Sequence, residues 1–267
     1  MKYYLTVCAI ARDEARYLDE WIAYHYLKGV EHFYICYDDN CDDTKLAIEI
    51  LEKWKNKNIV TYKLHDTRNY QQRFYSELTQ EKIMKEAKWL AFIDLDEFIT
   101  PLGDLTLPEF LRRNHQAAGV ELNWMMYGNS GHKKPGDGLV IENYKSHASL
   151  TSFVSRHVKT IANPRKIKHF LNVHHMSYTY DTKAIDANGN SVNTHFLDRP
   201  PVWGNFRINH YYTKSREEFF ARKRRGPTPD RKTGFSEQYI KHLYDVLNLN
   251  EIENDPIMDK WISLLKS

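Results

Sequence analysis

Three cysteines in 267 residues are too few, and odd in number, for a disulfide framework. Cys8 and Cys36 lie in apolar runs and Cys41 in a polar turn. That usage predicts reduced thiols and a cytoplasmic setting. Glycine and proline are scarce, at 11 and 9 residues, which excludes collagen-like and low-complexity chains. No apolar run approaches the ~18 residues of a membrane span. The stretch YYLTVCAI is short and breaks at Arg12, so it is read as a strand and not as a secretory leader. Net charge is only +3, from 38 basic and 35 acidic residues, which gives no argument for a nucleic-acid partner. Aromatic residues are plentiful, with 18 Tyr, 12 Phe and 6 Trp. Such rings serve equally as core filling and as sugar-stacking faces. A chain of this length, 42% hydrophobic, fits one large domain with a self-sufficient core.

The first 125 residues alternate between two periodicities. Residues 4–10, 32–37, 59–64 and 89–94 are apolar runs of strand length. Between them, residues 14–28, 43–56 and 73–87 carry apolar side chains at helical spacing, and Gly29 stops the first helix. Asp43 and Thr44 are read as caps of the second helix. This β-α-β-α-β-α-β order predicts an α/β fold with a mostly parallel sheet and helices on both faces. Ligands of such sheets bind beyond the carboxyl ends of the strands. The polar clusters fall there: Arg12, Asp13 and Glu14, then Asp38 to Asp43, then Asp94 to Glu97.

The remainder is read as a mixed sheet. Strands are expected at 119–127, in LVIENY (139–144), VSRHVKTI (154–161) and IKHFLNVHH (167–175), and at 206–212, with a helix over 213–226. The expected organisation is one domain: a donor half (1–118), an acceptor half (119–226) and a helical tail (227–267).

FIDLDEF at 92–98 carries the strongest local signal. If the backbone stays extended, Asp94 and Asp96 point the same way and can share one cation. Oxygen ligands suit Mg²⁺ or Mn²⁺ that also holds phosphate oxygens, although such a pair also occurs as a solvated turn. In YDDNCDDT (37–44), Asp38 and Asn40 can meet a nucleobase or ribose hydroxyl.

Together, IARDEARYLDEWIAYHYLKGVEHFYICYDDNCDDT, KWLAFIDLDEFI, WMMYGNSGHKKPGDGLVIENY and INHYYTKSREEFFARKRRG resemble the family 92 glycosyltransferases and related bacterial family 2-like transferases, over roughly residues 1–226. The resemblance implies a GT-A fold, a nucleotide-sugar donor (a UDP-sugar first), a divalent metal at the Asp-x-Asp and an inverting transfer. Relatives commonly read Asn-Glu where this chain has Asp13-Glu14. GT-A enzymes commonly take a late metal ligand, and His210 is the candidate, with His174 and His175 as rivals. Lys214 and Arg216 would lie near the diphosphate, with Arg12 and Glu14 also on the donor side. Inverting transfer needs a carboxylate base; Glu142 is nominated, with Asp186 and Glu121 open. Residues 129–138 form either an acceptor-side loop or a hairpin, and Trp124 and Tyr127 offer stacking faces.

Residues 214–225 carry six basic and two acidic side chains. They are either a solvated face or a contact for diphosphate or an anionic membrane surface. The implied acceptor is a glycan or lipid-linked glycan, in surface polysaccharide or lipopolysaccharide synthesis at the cytoplasmic membrane face. Two other classes compete. A sugar-nucleotide-forming nucleotidyltransferase would carry a glycine-rich basic loop after strand one, where ARDEARY has none. A non-catalytic glycan-binding protein would have lost an Asp of the pair, yet both are present.

Overall fold

A computed structural model describes residues 1–67, 70–81, 86–179, 182–224 and 235–267. The alternating half folds as its periodicity dictates. Strands β1 (Tyr3–Ala11), β2 (His32–Tyr37), β3 (Val60–Leu64) and β4 (Ala87–Phe92) are linked by helices α1 (Ala15–Leu27), α2 (Thr44–Lys55) and α3 (Gln71–Glu81). These strands pair in parallel in the order β3-β2-β1-β4. Alternate residues of each strand face opposite layers. Val7, Ala9, Phe33, Ile35, Trp89 and Ala91 join the core that holds Leu18, Trp21 and Leu51 of α1 and α2. Cys8, Tyr34, Cys36, Leu90 and Phe92 instead pack with Phe74 and Tyr75 of α3. Helices therefore cover both faces, as expected. All three cysteines are free.

Gly29 ends α1 at φ +89°, and a Cβ there would come within 2.7 Å of Pro108. Both the left-handed backbone and the close approach call for glycine.

Beyond β4 the sheet becomes mixed. Its order continues β4-β7-β6-β11-β5, with β5 (Glu97–Pro101), β6 (Gly119–Met126), β7 (Val158–Ala162) and β11 (Phe206–His210). Strand β7 runs antiparallel to both β4 and β6, and β11 runs parallel to β6 and antiparallel to β5. The short β10 (Ala184–Ile185) adds to β6, and β8 (Ile167–Phe170) pairs with β9 (Met176–Tyr178) apart from this sheet. The main core takes Tyr144, Phe206 and Met258 along with the first half.

Several expectations need correction. LVIENY is not a strand: Val140–Asn143 form a short helix, α5. The strand expected to begin at 154 begins at Val158, because Phe153–Arg156 make a 3-10 turn. IKHFLNVHH ends as a strand at Phe170. The third helix was expected to reach residue 87. However, Ala87 already pairs with Tyr3 in the sheet, and residues 82–85 lie outside the described residues. β5 and α4 (Leu107–Arg113) were not anticipated, although Thr106 and Glu109 spell a capping box before α4.

The basic helix α6 spans Arg216–Arg224. The tail holds α7 (Glu237–Leu247) and α8 (Asp259–Lys266). The expected helix end at 225–226 and the tail's start at 227–234 lie outside the described residues. No helix among the described residues is long and apolar enough to cross a membrane.

Candidate active site

The site is built where β1, β2 and β4 end. Strand β4 stops at Phe92, and Asp94 begins a turn closed by the Glu97 N–H donating to the Asp94 carbonyl at 3.1 Å. The extended backbone expected under Asp-x-Asp is therefore absent. The two carboxylates have different partners. Asp94, one third exposed, accepts from Gln71 at 2.8 Å and from the buried Lys159 ammonium at 2.7 Å. Asp96 is buried, with His210 Nε2 at 3.4 Å and Arg222 donating at 3.0 Å. Burial would raise the Asp96 carboxyl, but His210, Lys214 and Arg222 hold it well below the usual range.

Glu97 lies beneath both carboxylates, fully buried. Burial pushes its carboxyl well up, against the opposing charge of Lys159 at 3.3 Å. Glu97 Oε1 and His210 Nδ1 are 4.0 Å apart, and each lacks a hydrogen-bond partner. Trp124 packs on His210 at 4.3 Å between centroids, and its buried Nε1 is also unpartnered. Three orphaned polar atoms at one spot are unusual in a folded interior and mark a place fitted for a further ligand.

His210 ends β11 and is buried. The rival His174 is turned elsewhere: its Nδ1 meets the Val158 carbonyl at 3.1 Å, and burial, with Lys159 nearby, lowers its pKa to about 4. His175 pairs with Glu121 at 3.1 Å, and Arg199 donates to the same carboxylate. Glu121 is thereby committed to the His175 ring and the Arg199 guanidinium. Asp186 accepts the backbone N–H groups of Asn188 and Asn190, the signature of a structural turn.

After β1, Asp13 adopts φ +54°, and before α6, Lys214 adopts φ +47°. Left-handed non-glycine residues concentrate where the surroundings over-determine the backbone. Both line a 120 Å³ cavity with Glu14, Tyr212 and Arg222. Lys214 donates to Glu14 at 2.8 Å. Burial still raises the Glu14 carboxyl against that ammonium.

After β2, Asp38 is satisfied locally. It accepts from the Asn40 N–H at 2.9 Å and from the Thr67 N–H and hydroxyl at 3.1 and 2.6 Å, with Arg12 at 4.0 Å. Burial opposes ionisation there, yet these donors hold the carboxyl below its ordinary value. Asn40 is exposed. The capping role expected of Asp43 is redirected. Its side chain accepts from the Ala15 N–H at 2.7 Å, so it serves the start of α1 and makes no cap bond in α2. Asp13, Cys41 and Asp43 place three ligand atoms within 4.8 Å of one another, a spacing that Asp94, Asp96 and His210 do not reach as placed.

Glu142 sits on α5, partly exposed and bonded to Lys266 of α8 at 2.6 Å. Tyr127 is not a free stacking face, since it is buried and donates to Asp255 at 2.7 Å. The loop 129–138 is no hairpin. Asn248 and Asn250 hold its start, and Arg16 donates to the Gly136 carbonyl near its end. Sequence reasoning missed Lys159, Glu97 and Arg222 as members of the centre. Arg222 had a signal, in a basic run just after His210, but nothing local separates it from its neighbours.

A centre of carboxylates and basic groups beyond the carboxyl ends of parallel strands, on a large mixed sheet, is the architecture of an α/β glycosyltransferase-like protein. The comparisons are specific on this point. The family model "Glycosyltransferase family 92" matches residues 3–236, and the chain belongs to that family. A family 92 protein of Oryza sativa subsp. japonica is 34% identical over 108 residues, 40% of this chain and 18% of that protein. One of Ricinus communis is 28% identical over 216 residues, 78% of this chain and 37% of that protein. The matched stretches thus span well under half of these curated relatives. The solved structure of HddC from Yersinia pseudotuberculosis aligns over 81% of this chain and 96% of its own, with a TM-score of 0.38 and 10% identity. That likeness is too slight to carry an argument.

Proposed function

We propose that the protein is a metal-dependent, inverting glycosyltransferase. It moves a sugar from a nucleotide-sugar, a UDP-sugar first, to a glycan or lipid-linked glycan acceptor. Surface polysaccharide or lipopolysaccharide synthesis at the inner face of the cell membrane is the setting this suggests. The observation that carries the reading is the meeting of Asp96 with His210 and Arg222, from segments more than a hundred residues away, at the ligand end of a family 92 fold.

Asp96 and His210 would hold a Mn²⁺ or Mg²⁺ ion, with Asp94 joining once it releases Lys159. The fit rests on the donor set and on the unpartnered Glu97 Oε1 and His210 Nδ1 beside it. When bound, the ion offsets charge developing on the leaving diphosphate. Arg222 and Lys214 supply charge-assisted hydrogen bonds to the same phosphates. Asp38, Asn40 and Arg12 receive the nucleoside.

In the transfer, an acceptor hydroxyl oxygen bonds to the anomeric carbon as the carbon–oxygen bond to the diphosphate breaks. A carboxylate takes the hydroxyl proton. Glu142 is the candidate from sequence, but Glu14 is favoured by its raised carboxyl in the cavity beside Arg222. Glu14→Gln and Glu142→Gln, compared in kcat and in nucleotide binding, decide between them.

The test of the whole reading is a donor screen. UDP-, GDP-, dTDP- and CMP-sugars are assayed by hydrolysis and thermal shift, with and without Mn²⁺. His210→Ala should raise the metal concentration for half activity, on top of the stability lost with a buried ring. Full activity in excess chelator would remove the metal from the mechanism.

A further inference from the structure

A groove of about 570 Å³ lies on the far side of α6 from Asp96. Arg216, Phe220 and Arg224 line it from one helical stripe, at i, i+4 and i+8. Arg222, on another stripe of the same helix, reaches Asp96. The groove and the candidate active site are thus separated by roughly one helix diameter, about 10 Å.

Lys133 and Lys134 come to this groove from the loop 129–138, and Lys241 comes from α7. The loop is fixed here by backbone bonds: the Arg216 N–H donates to the His132 carbonyl at 3.1 Å and the Glu217 N–H to the Lys133 carbonyl at 3.0 Å. Five cationic and two acidic side chains line the groove, a formal 5 − 2 = +3. The whole chain carries +3, so its entire excess is matched at this one place. Glu237 is already engaged by Arg224 through two bonds, at 2.6 and 3.0 Å. Lys133, Lys134 and Lys241 have no ion-pair partner among the described residues. Like charges gathered without counter-ions repel, and a concave arrangement of them raises the local concentration of anions.

We propose that this groove is a phosphate subsite, which takes a phosphate or diphosphate group carried by the acceptor. The concavity favours a discrete group over a flat surface. Arg216 can offer a fork of N–H donors, and the three lysines offer point charges. Phe220 gives the floor an apolar face, with the Arg216 guanidinium 4.5 Å from its ring centroid. The assignment to an acceptor rests on the transferase reading; the anion site itself does not.

The probe is inorganic pyrophosphate, titrated calorimetrically into the full chain without divalent metal. Wild type should bind it, and Lys133→Ala/Lys134→Ala/Lys241→Ala should bind about tenfold more weakly or worse. An unchanged melting temperature of the triple variant checks its fold. Lys53→Ala, which removes an exposed cation of α2 that lines neither the groove nor the candidate active site, should bind pyrophosphate as wild type does. Flotation with phosphatidylcholine vesicles, plain or with about one fifth phosphatidylglycerol, separates the two sources of phosphate. Binding to the anionic vesicles without binding to pyrophosphate would assign the groove to a membrane surface and overturn the acceptor subsite. Pyrophosphate bound by the triple variant with the affinity and stoichiometry of wild type also overturns it. No step measures turnover, so failure of the donor screen would leave this result readable.

Discussion

Two carboxylates at the ligand end of the sheet, Asp38 and Asp96, are both buried, yet they are held by opposite strategies. Asp38 is satisfied by neutral donors close in the chain or in the same α/β unit, from Asn40 and Thr67. Asp96 is held by the Arg222 guanidinium, with the His210 imidazole 3.4 Å away, both on late segments. A carboxylate fixed by local N–H groups belongs to the scaffold first and can offer a ligand only its spare lone pairs. One fixed by a remote cation can exchange it for another cation at modest cost. The contrast repeats within Asp-x-Asp itself. Asp94 is bound to Lys159, which also lies 3.3 Å from the deeper Glu97, whereas Asp96 meets Arg222, a lining residue of the cavity.

The sharpest way to break this contrast is Asp96→Asn, which removes charge and keeps shape. Transfer and donor hydrolysis should fall by about 10³-fold or more, with the fold retained by circular dichroism. Activity within tenfold of wild type would place the reacting phosphates elsewhere.

Lys159→Met tests the scaffold side. It leaves Glu97 buried beside Asp94 without a cation, and unfolding free energy should drop by about 3–5 kcal/mol in urea titration. The added Glu97→Gln change should recover part of that loss. A loss under 1 kcal/mol would mean that the buried pair is weakly coupled.

Asp38→Ala should cost about 1–3 kcal/mol of stability, because the Thr67 N–H loses its acceptor. Asn40→Ala, at an exposed position, should weaken nucleotide binding and leave stability alone. If instead Asp38→Ala changes only nucleotide affinity, Asp38 belongs with Asp96.

The smallest effect concerns Glu20 of α1, which accepts the Val140 and Ile141 N–H groups at 2.8 and 3.1 Å. Burial, against those two bonds, raises its carboxyl from 4.5 to about 7. The folded state therefore binds more protons than the unfolded state between those values, and stability should fall as pH rises through that window. Denaturant titrations at the two ends of the window, for wild type and Glu20→Gln, should show a smaller pH effect in the variant.

The alternating half was legible because each βα unit is specified by its own periodicity and turns. Elements with a sequence signature of two periods, β1 through β4, fall within a few residues of their expected bounds. LVIENY failed as a strand because its apolar residues fit a helical turn as well as a strand. What decides between them is Glu20, which lies 120 residues earlier and meets the N–H groups that open the turn. Glu142, nominated as the base after the glycine-rich loop, came to rest against Lys266.

The sequence by itself determined the α/β class, the carboxyl-end position of the polar clusters, and the family motifs from Arg12 to Arg224. Short-range periodicity and turn chemistry act over a few residues, so they are written where they act. Tertiary structure alone decided that Asp94 turns to Lys159 while Asp96 turns to His210 and Arg222. It also brought Glu14 to Lys214 and gathered the lysines of a loop and a tail helix around one groove. Charge pairing acts through space between segments with no fixed separation along the chain, and the antiparallel insertion of β7 between β4 and β6 set those distances.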